Sequence, residues 1–265
     1  MLTYPHIDPV IVKLGPLAIR WYALAYLAGV LSGWWLIGKL SKRLTPPTLS
    51  KGAYDDIMTY AIMGIILGGR LGYVLFYKPA FYFSHPLEIL MVWHGGMSFH
   101  GGLVGMTTAM WCFSRKYKIA FLAVTDLLAV AAPIGLFFGR LANFINGELY
   151  GRVTDSTLAM IFPYSDGLPR HPSQLYEASL EGAVLFIILI TIALCTRTLT
   201  RSGRLSGYFL IGYSIARSTC ELFREPDDFI HFLPSWITMG QLLSLPMLAV
   251  GFYLVLRRVT PRPSH

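Results

Sequence analysis

The sequence predicts an all-α polytopic membrane protein with seven transmembrane helices, its N-terminus outside and its C-terminus cytoplasmic. Three observations carry this expectation. Apolar runs near twenty residues, enough to cross a bilayer core, recur from end to end. Charged residues make up only 14% of the 265, where a soluble domain carries about a quarter, and the mean hydropathy is +0.54. Lysines and arginines gather between the apolar runs and on alternate sides. The formal charge of +8 therefore reflects topology rather than nucleic-acid binding, because no basic arm or aromatic–basic module is present.

Taken in order, the spans are expected at 20–40, 57–77, 97–113, 127–144, 177–195, 205–223 and 239–256. The chain reads as a single integral-membrane domain, 1–265, with a small extracytoplasmic head at about 145–176. Its first residues, MLTYPHIDPVIVKLGP, lack a basic stretch followed by an apolar core and a small-residue cleavage site, so they read as mature sequence. Asp55 and Asp56 open the second span, where acids complement a helix dipole. Thr125–Asp126 is the expected cap of the fourth, Pro133 and Pro246 are expected kinks, and Asp227–Asp228 a solvated outer loop.

Orientation follows from the basic residues. With the N-terminus outside, thirteen of the 22 are cytoplasmic, including Lys39, Lys42, Arg43, Arg115, Lys116, Lys118, Arg201 and Arg257. Small residues at helical spacing (Gly64, Gly68 and Gly72; Gly101 and Gly105; Gly135 and Gly139) predict faces that let helices approach closely. Cys112, Cys195 and Cys220 sit in or beside apolar segments at spacings that define neither a disulfide framework nor a metal site, and read as packing residues. His94 and His100 lie six apart with no H-E-x-x-H or carboxylate cluster, so neither a metal nor a cofactor is implied.

The polar groups within the spans are the informative ones. Arg70, Arg140 and Arg217 fall in the second, fourth and sixth spans, all in the outer half. Placing three arginines in hydrocarbon costs on the order of 8–10 kcal/mol on insertion scales. Any one of them could snorkel to headgroups, and Arg217 could pair with Glu221 one turn away. Other polar groups are expected at the same level: HGGMSFHGG at the start of the third span, GRLANFINGELYGR closing the fourth, and RHPSQLYE entering the fifth. Tyr22 joins them from the first span, Tyr213 and Glu221 from the sixth. The expectation is a cationic, amide- and hydroxyl-rich chamber in the outer leaflet, suited to an anionic phospholipid headgroup. The glycine pairs flanking Met97–His100 suggest backbone bent around a ligand, and His100 is of the residue type that serves as a base near neutral pH. Ser98 is not set in a G-x-S-x-G elbow and has no carboxylate placed to orient a histidine, which argues against a serine hydrolase.

GRLANFINGELYG resembles the signature of bacterial prolipoprotein diacylglyceryl transferases, G-R-x-[GA]-N-F-x-N-x-E-x-x-G. GGRLGYVLFY, HGGMSFHGG, RHPSQLYE and FREPD match further blocks of that family in order, and HIDPV and MGQ extend the resemblance over nearly the whole chain. The segment between Gly151 and Arg170 is shorter than in long family members. The resemblance implies a bacterial inner-membrane enzyme with its site towards the outer leaflet. It would move diacylglyceryl from phosphatidylglycerol to the lipobox cysteine of a preprolipoprotein signal peptide, forming a thioether and releasing glycerol 1-phosphate. It also implies essential positions at Tyr22, His100, Arg140, Asn143 and Gly151, with Arg217, Glu148, Glu221 and Tyr213 in support. Headgroup contacts are expected from Arg140, Arg217, Arg70, Asn146, Gly151 and Ser98. Either His100 takes the substrate thiol's proton, or Arg140 leads and His100 positions; both readings stay open at this level. A transporter would place its charges at the midplane rather than at one face.

Overall fold

The computed structural model describes residues 2–5, 7–15, 17–44, 49–225 and 238–258. The Asp227–Asp228 loop and His6 of HIDPV lie outside the described residues. The chain divides into two compact units, Met1–Arg43 with Asp126–His265, and Leu44–Thr125.

The first unit opens on a short antiparallel hairpin, β1 (Val10–Leu14) and β2 (Leu17–Arg20). This departs from the all-α expectation. VIVKL and LAIR are rich in β-branched and apolar residues, and Gly15 takes the positive φ the connection needs, +61°. β2 runs directly into α1 (Trp21–Ser41). In the second unit α2 (Lys51–Phe76) is followed by the short α3 (Pro79–Ser84), two 3-10 turns and α4 (Phe99–Lys116). α5 (Phe121–Asn146) begins in the second unit and continues in the first. The fifth long helix is composite: α6 (Ser173–Glu177), a π-helical segment (Ala178–Val184) and α7 (Leu185–Cys195). α8 (Arg204–Cys220) and α9 (Met239–Leu256) complete the described helices.

Five of these segments are long and apolar enough to cross a membrane: Trp21–Ser41, Lys51–Phe76, Phe121–Asn146, Ser173–Cys195 and Met239–Leu256. Their outward residues, such as Leu27, Trp35, Ile187 and Leu245, are apolar and exposed, as a hydrocarbon solvent requires. The two other expected spans correspond to α4 and α8. α4 is diluted by its glycines, threonines and basic end, and α8 has only 17 residues.

Three local expectations are corrected. α5 begins at Phe121, so Thr125–Asp126 does not cap it. Asp126 instead accepts from the backbone N–H of Gly203 and Ser206, at 2.6 and 2.7 Å, and from the Ser206 hydroxyl, and thus caps α8. α2 starts earlier than expected, with the Ser50 side chain as its cap, and Asp56 pairs with Lys116 at 2.8 Å rather than serving a helix start. All three cysteines are free; Cys220 is buried, whereas Cys112 and Cys195 are exposed.

The glycine stripe of the second unit works as expected. A Cβ on Gly68 would lie 2.6 Å from the Cα of Gly105, and one on Gly72 2.7 Å from that of Gly101, so α2 and α4 touch backbone to backbone. In the first unit a Cβ on Gly29 would come within 3.2 Å of Gly135, whereas one on Gly139 would meet open space.

Between α5 and α6 the chain forms a small head without long elements. Val153 and Met160 both bridge to Arg170, and Gly151 bridges to Arg224. Its core is Tyr4, Phe144, Met160 and Phe162, with Tyr4 donating to the carbonyls of Phe144 and Ile145 at the end of α5. Arg170 holds the head together, reaching Asp166, Glu225 and the Gly151 carbonyl while lying over the Tyr150 ring. Its guanidinium lowers the Asp166 carboxyl to about 2, and the same contact raises Arg170. Burial lowers the His171 imidazole.

Candidate active site

Arginine in a low-dielectric helix bundle needs carboxylate or backbone-carbonyl partners, and the composite helix supplies carboxylates to Arg140 and Arg217 in the first unit. Glu177 ends α6 and Glu181 follows on the π-helical segment, one turn later; both are fully buried. Gly182 makes the approach possible, since a Cβ there would stand 2.7–3.0 Å from the backbone and Cβ of Phe137, one turn before Arg140 on α5. The π segment widens the helix where these carboxylates emerge, and π-helical departures gather at functional sites.

Glu177 is the hub. It takes Arg217 at 2.6 Å, Arg224 at 3.2 Å and Arg140 at 3.3 Å. Glu181 stands further off, 3.6 Å from Arg217 and 3.7 Å from Arg140, and neither of its oxygens has a hydrogen-bond partner among the described residues. Glu221 closes the cluster by pairing with Arg217 and, at 3.7 Å, with Arg224. Gly240 at the start of α9 lies against the Glu221 carboxylate, where the helix N-terminus favours negative charge. Three arginines therefore face three glutamates. The expected excess of positive charge is largely balanced within the protein, a correction to the cationic chamber.

A second cluster lies near the end of α5. Glu148 accepts from Asn143 at 2.8 Å and from Asn146 at 3.2 Å. Tyr22 lies near Asn143 and Glu148 and 3.2 Å, oxygen to oxygen, from Tyr26. The backbone beneath is pinned by the RHPSQLYE segment: Gln174 donates to the Glu148 carbonyl at 2.6 Å and Ser173 to that of Leu149 at 3.0 Å. Leu149 holds a positive φ of 57°, strain that these buried donors offset. Gly151 leaves no room for a side chain, because its Cβ would meet His171 at 2.9 Å. Tyr213 on α8 lies in the electrostatic reach of Arg140, Arg217, Glu177 and Glu181.

The second unit holds the remaining expected residues. Arg70 is buried and, among the described residues, donates to backbone carbonyls: Ile89 at 2.9 Å, Gly96 and Met91 at 3.2 Å, and Gly95 and Glu88. The glycine-flanked loop is thus bent around the Arg70 guanidinium, with Gly95 and Gly96 at φ +81° and +82°. Ser98 caps α4 by accepting from the N–H of Gly101. His100 stands exposed in the first turn of α4.

The structure therefore brings together Arg140, Arg217, Glu221 and Tyr213, and, as a neighbouring group, Tyr22, Asn143, Asn146 and Glu148. Reasoning from sequence missed Glu177 as a hub, Glu181 altogether, and Arg224 as a site cation. The available signal was a pair of acids four apart in an otherwise apolar span, which demands basic partners in the bundle.

Among the described residues, five membrane-length apolar helices and a network of arginines on buried glutamates define a helical membrane protein with a polar site among its helices. A family model described as prolipoprotein diacylglyceryl transferase matches residues 9–257, and the chain belongs to that family. A protein of Rhodospirillum rubrum named phosphatidylglycerol–prolipoprotein diacylglyceryl transferase is 56% identical over 98% of this chain and 96% of its own. Proteins of the same name from Rickettsia felis and Rickettsia akari are 54% and 53% identical over 96% of this chain and 98% of theirs.

Proposed function

We propose that the chain transfers the diacylglyceryl group of phosphatidylglycerol to the lipobox cysteine of a preprolipoprotein, as the names of its relatives describe. The observation that carries this reading is a site whose strongest donors, Arg140 and Arg217, are held ready by buried carboxylates in a family of that name. In the reaction the thiol loses its proton and a sulfur–carbon bond forms at the glycerol carbon. The carbon–oxygen bond to phosphate breaks, and its electron pair leaves on glycerol 1-phosphate.

Charge grows on the departing phosphate, and planar guanidinium groups meet it through paired hydrogen bonds. Arg140 fits this task, since its contacts to Glu177 and Glu181 are long; Arg217 is held more tightly and supports it. Asn143, Asn146 and Glu148 form a hydrogen-bonded network, with Tyr22 nearby, suited to the hydroxyls of a glycerol headgroup. His100 is proposed to accept the thiol proton, directly or through water. Arg70 and Ser98 act by shaping the loop before α4, and Gly151 by letting the head close on itself.

In this reading the two units work as one integral-membrane domain of seven spans, α4 and α8 included. The N-terminus is outside, the C-terminus cytoplasmic and the site towards the outer leaflet of a bacterial inner membrane. The decisive assay mixes purified protein with phosphatidylglycerol and a lipobox peptide. A diacylglyceryl mass on cysteine is the expected result; no adduct, or an adduct on a Cys→Ser peptide as well, would end the proposal.

A further inference from the structure

The second unit carries a concave apolar surface that the chemistry above leaves unused. It is a groove of about 1160 Å³ formed by α2, α4 and their capping residues, running from Thr59 on α2 to Tyr77 just past its end and bounded at one end by Ser98 and His100. Its walls are two rows of residues four apart: Met63, Leu67, Leu71 and Leu75 on α2, and Val104 and Thr108 on α4. Glycines form its floor, because α2 and α4 meet there backbone to backbone. Leu67, Leu71, Leu75 and Val104 are each more than half exposed, so the walls are open along their length.

The dimensions choose the occupant. Eighteen residue steps along α2 span about 27 Å at 1.5 Å per residue. One leaflet of hydrocarbon is only about 15 Å deep, half of a core of about 30 Å, so an acyl chain confined to it covers about half the groove. The apolar core of a secretory signal segment, 7–15 residues, covers about 10–22 Å as a helix and continues into a charged flank. Rows spaced by four are also the ridges between which a third helix packs in a membrane, where close contact replaces hydrophobic drive. We infer that this groove docks the apolar signal helix of the preprolipoprotein, with the cysteine that follows that helix delivered to the Ser98–His100 end. The basic residues Arg115 and Lys116 at the far end of α4 agree with a cytoplasmic position for the other end.

This inference rests on the proposed transferase reaction, and its test separates the two. The full chain, in phosphatidylglycerol vesicles, carries a photoreactive residue at position 71 or 104 or, as a control, at exposed position 253 of α9. The probe is a preprolipoprotein whose lipobox cysteine is replaced by serine. Illumination is expected to couple the probe at 71 and 104 but not at 253, and excess unlabelled probe to suppress the coupling. Coupling to lipid alone, or equal coupling at 253, overturns the inference. In parallel, Leu71→Trp and Val104→Trp are expected to raise the KM for precursor about tenfold and leave that for phosphatidylglycerol unchanged. A rise in the phosphatidylglycerol KM instead would assign the groove to an acyl chain. Thioether formation by the unaltered chain is scored separately. Its absence refutes the reaction, whereas its presence without coupling at 71 and 104 refutes only the groove.

Discussion

At the scale of single residues, the buried Glu177 decides whether three partly buried arginines are tolerated. Removing one partner of a buried ion pair typically costs about 3–5 kcal/mol, because the other charge is left desolvated. Glu177→Ala strips a contact from Arg140, Arg217 and Arg224 at once. It is expected to lower the melting temperature in detergent sharply and to abolish adduct formation, while wild-type stability in this variant would show that Glu181 and Glu221 suffice. Arg140→Lys keeps the charge but loses the planar fork, and is expected to reduce turnover roughly a hundredfold or more; near wild-type turnover would remove Arg140 from the phosphate. For His100→Gln, a base role predicts a deficit of about 10²- to 10⁴-fold at neutral pH. That deficit should shrink above pH of about 8.5, where a cysteine thiol ionises unaided. A deficit constant with pH would make His100 a positioning residue.

At the scale of elements, glycine positions separate contact from mere small size. Gly68 and Gly105 are pressed together, so Gly68→Val forces α2 and α4 apart, and overpacking of this kind costs about 1–3 kcal/mol. Gly139→Ala meets nothing within 4 Å, although it belongs to a similar pattern in sequence. Thermal melts of the two variants are expected to differ accordingly; equal losses would refute the backbone contact between α2 and α4. The spacing of glycines was legible from sequence, but the partner of each face was not. The same holds for Asp126, which looked like a local cap of α5 and instead closes the N-terminus of α8, nearly eighty residues away. The hairpin before α1 was also missed, because five- and four-residue strands are too short to stand out beside membrane-length apolar runs.

At the scale of the whole molecule, acid sensitivity of the head tests how it is held. The Asp166 carboxyl is depressed to about 2 by Arg170, against an ordinary value of about 3.9. A depressed carboxylate stabilises the fold fully above its unfolded pKa and loses that contribution as pH falls through the folded one. The melting difference between wild type and Asp166→Asn should therefore be constant above pH of about 4 and vanish near pH of about 2. A difference that persists at the lower pH would mean that the contact is not electrostatic.

Composition and the recurrence of apolar runs were enough to determine that this is a helical membrane protein, because hydrocarbon tolerates few charges and demands a fixed length. The blocks GRLANFINGELYG and RHPSQLYE were enough to determine its family, because they keep polar residues where the bilayer would otherwise remove them. Tertiary structure alone decided what those polar residues touch. Arg70 proved to hold a loop, and Arg140 and Arg217 proved to share Glu177 and Glu181. Sequence sets the energetic need for a partner to a buried charge, but the partner lies on another helix, and only packing brings it within 4 Å.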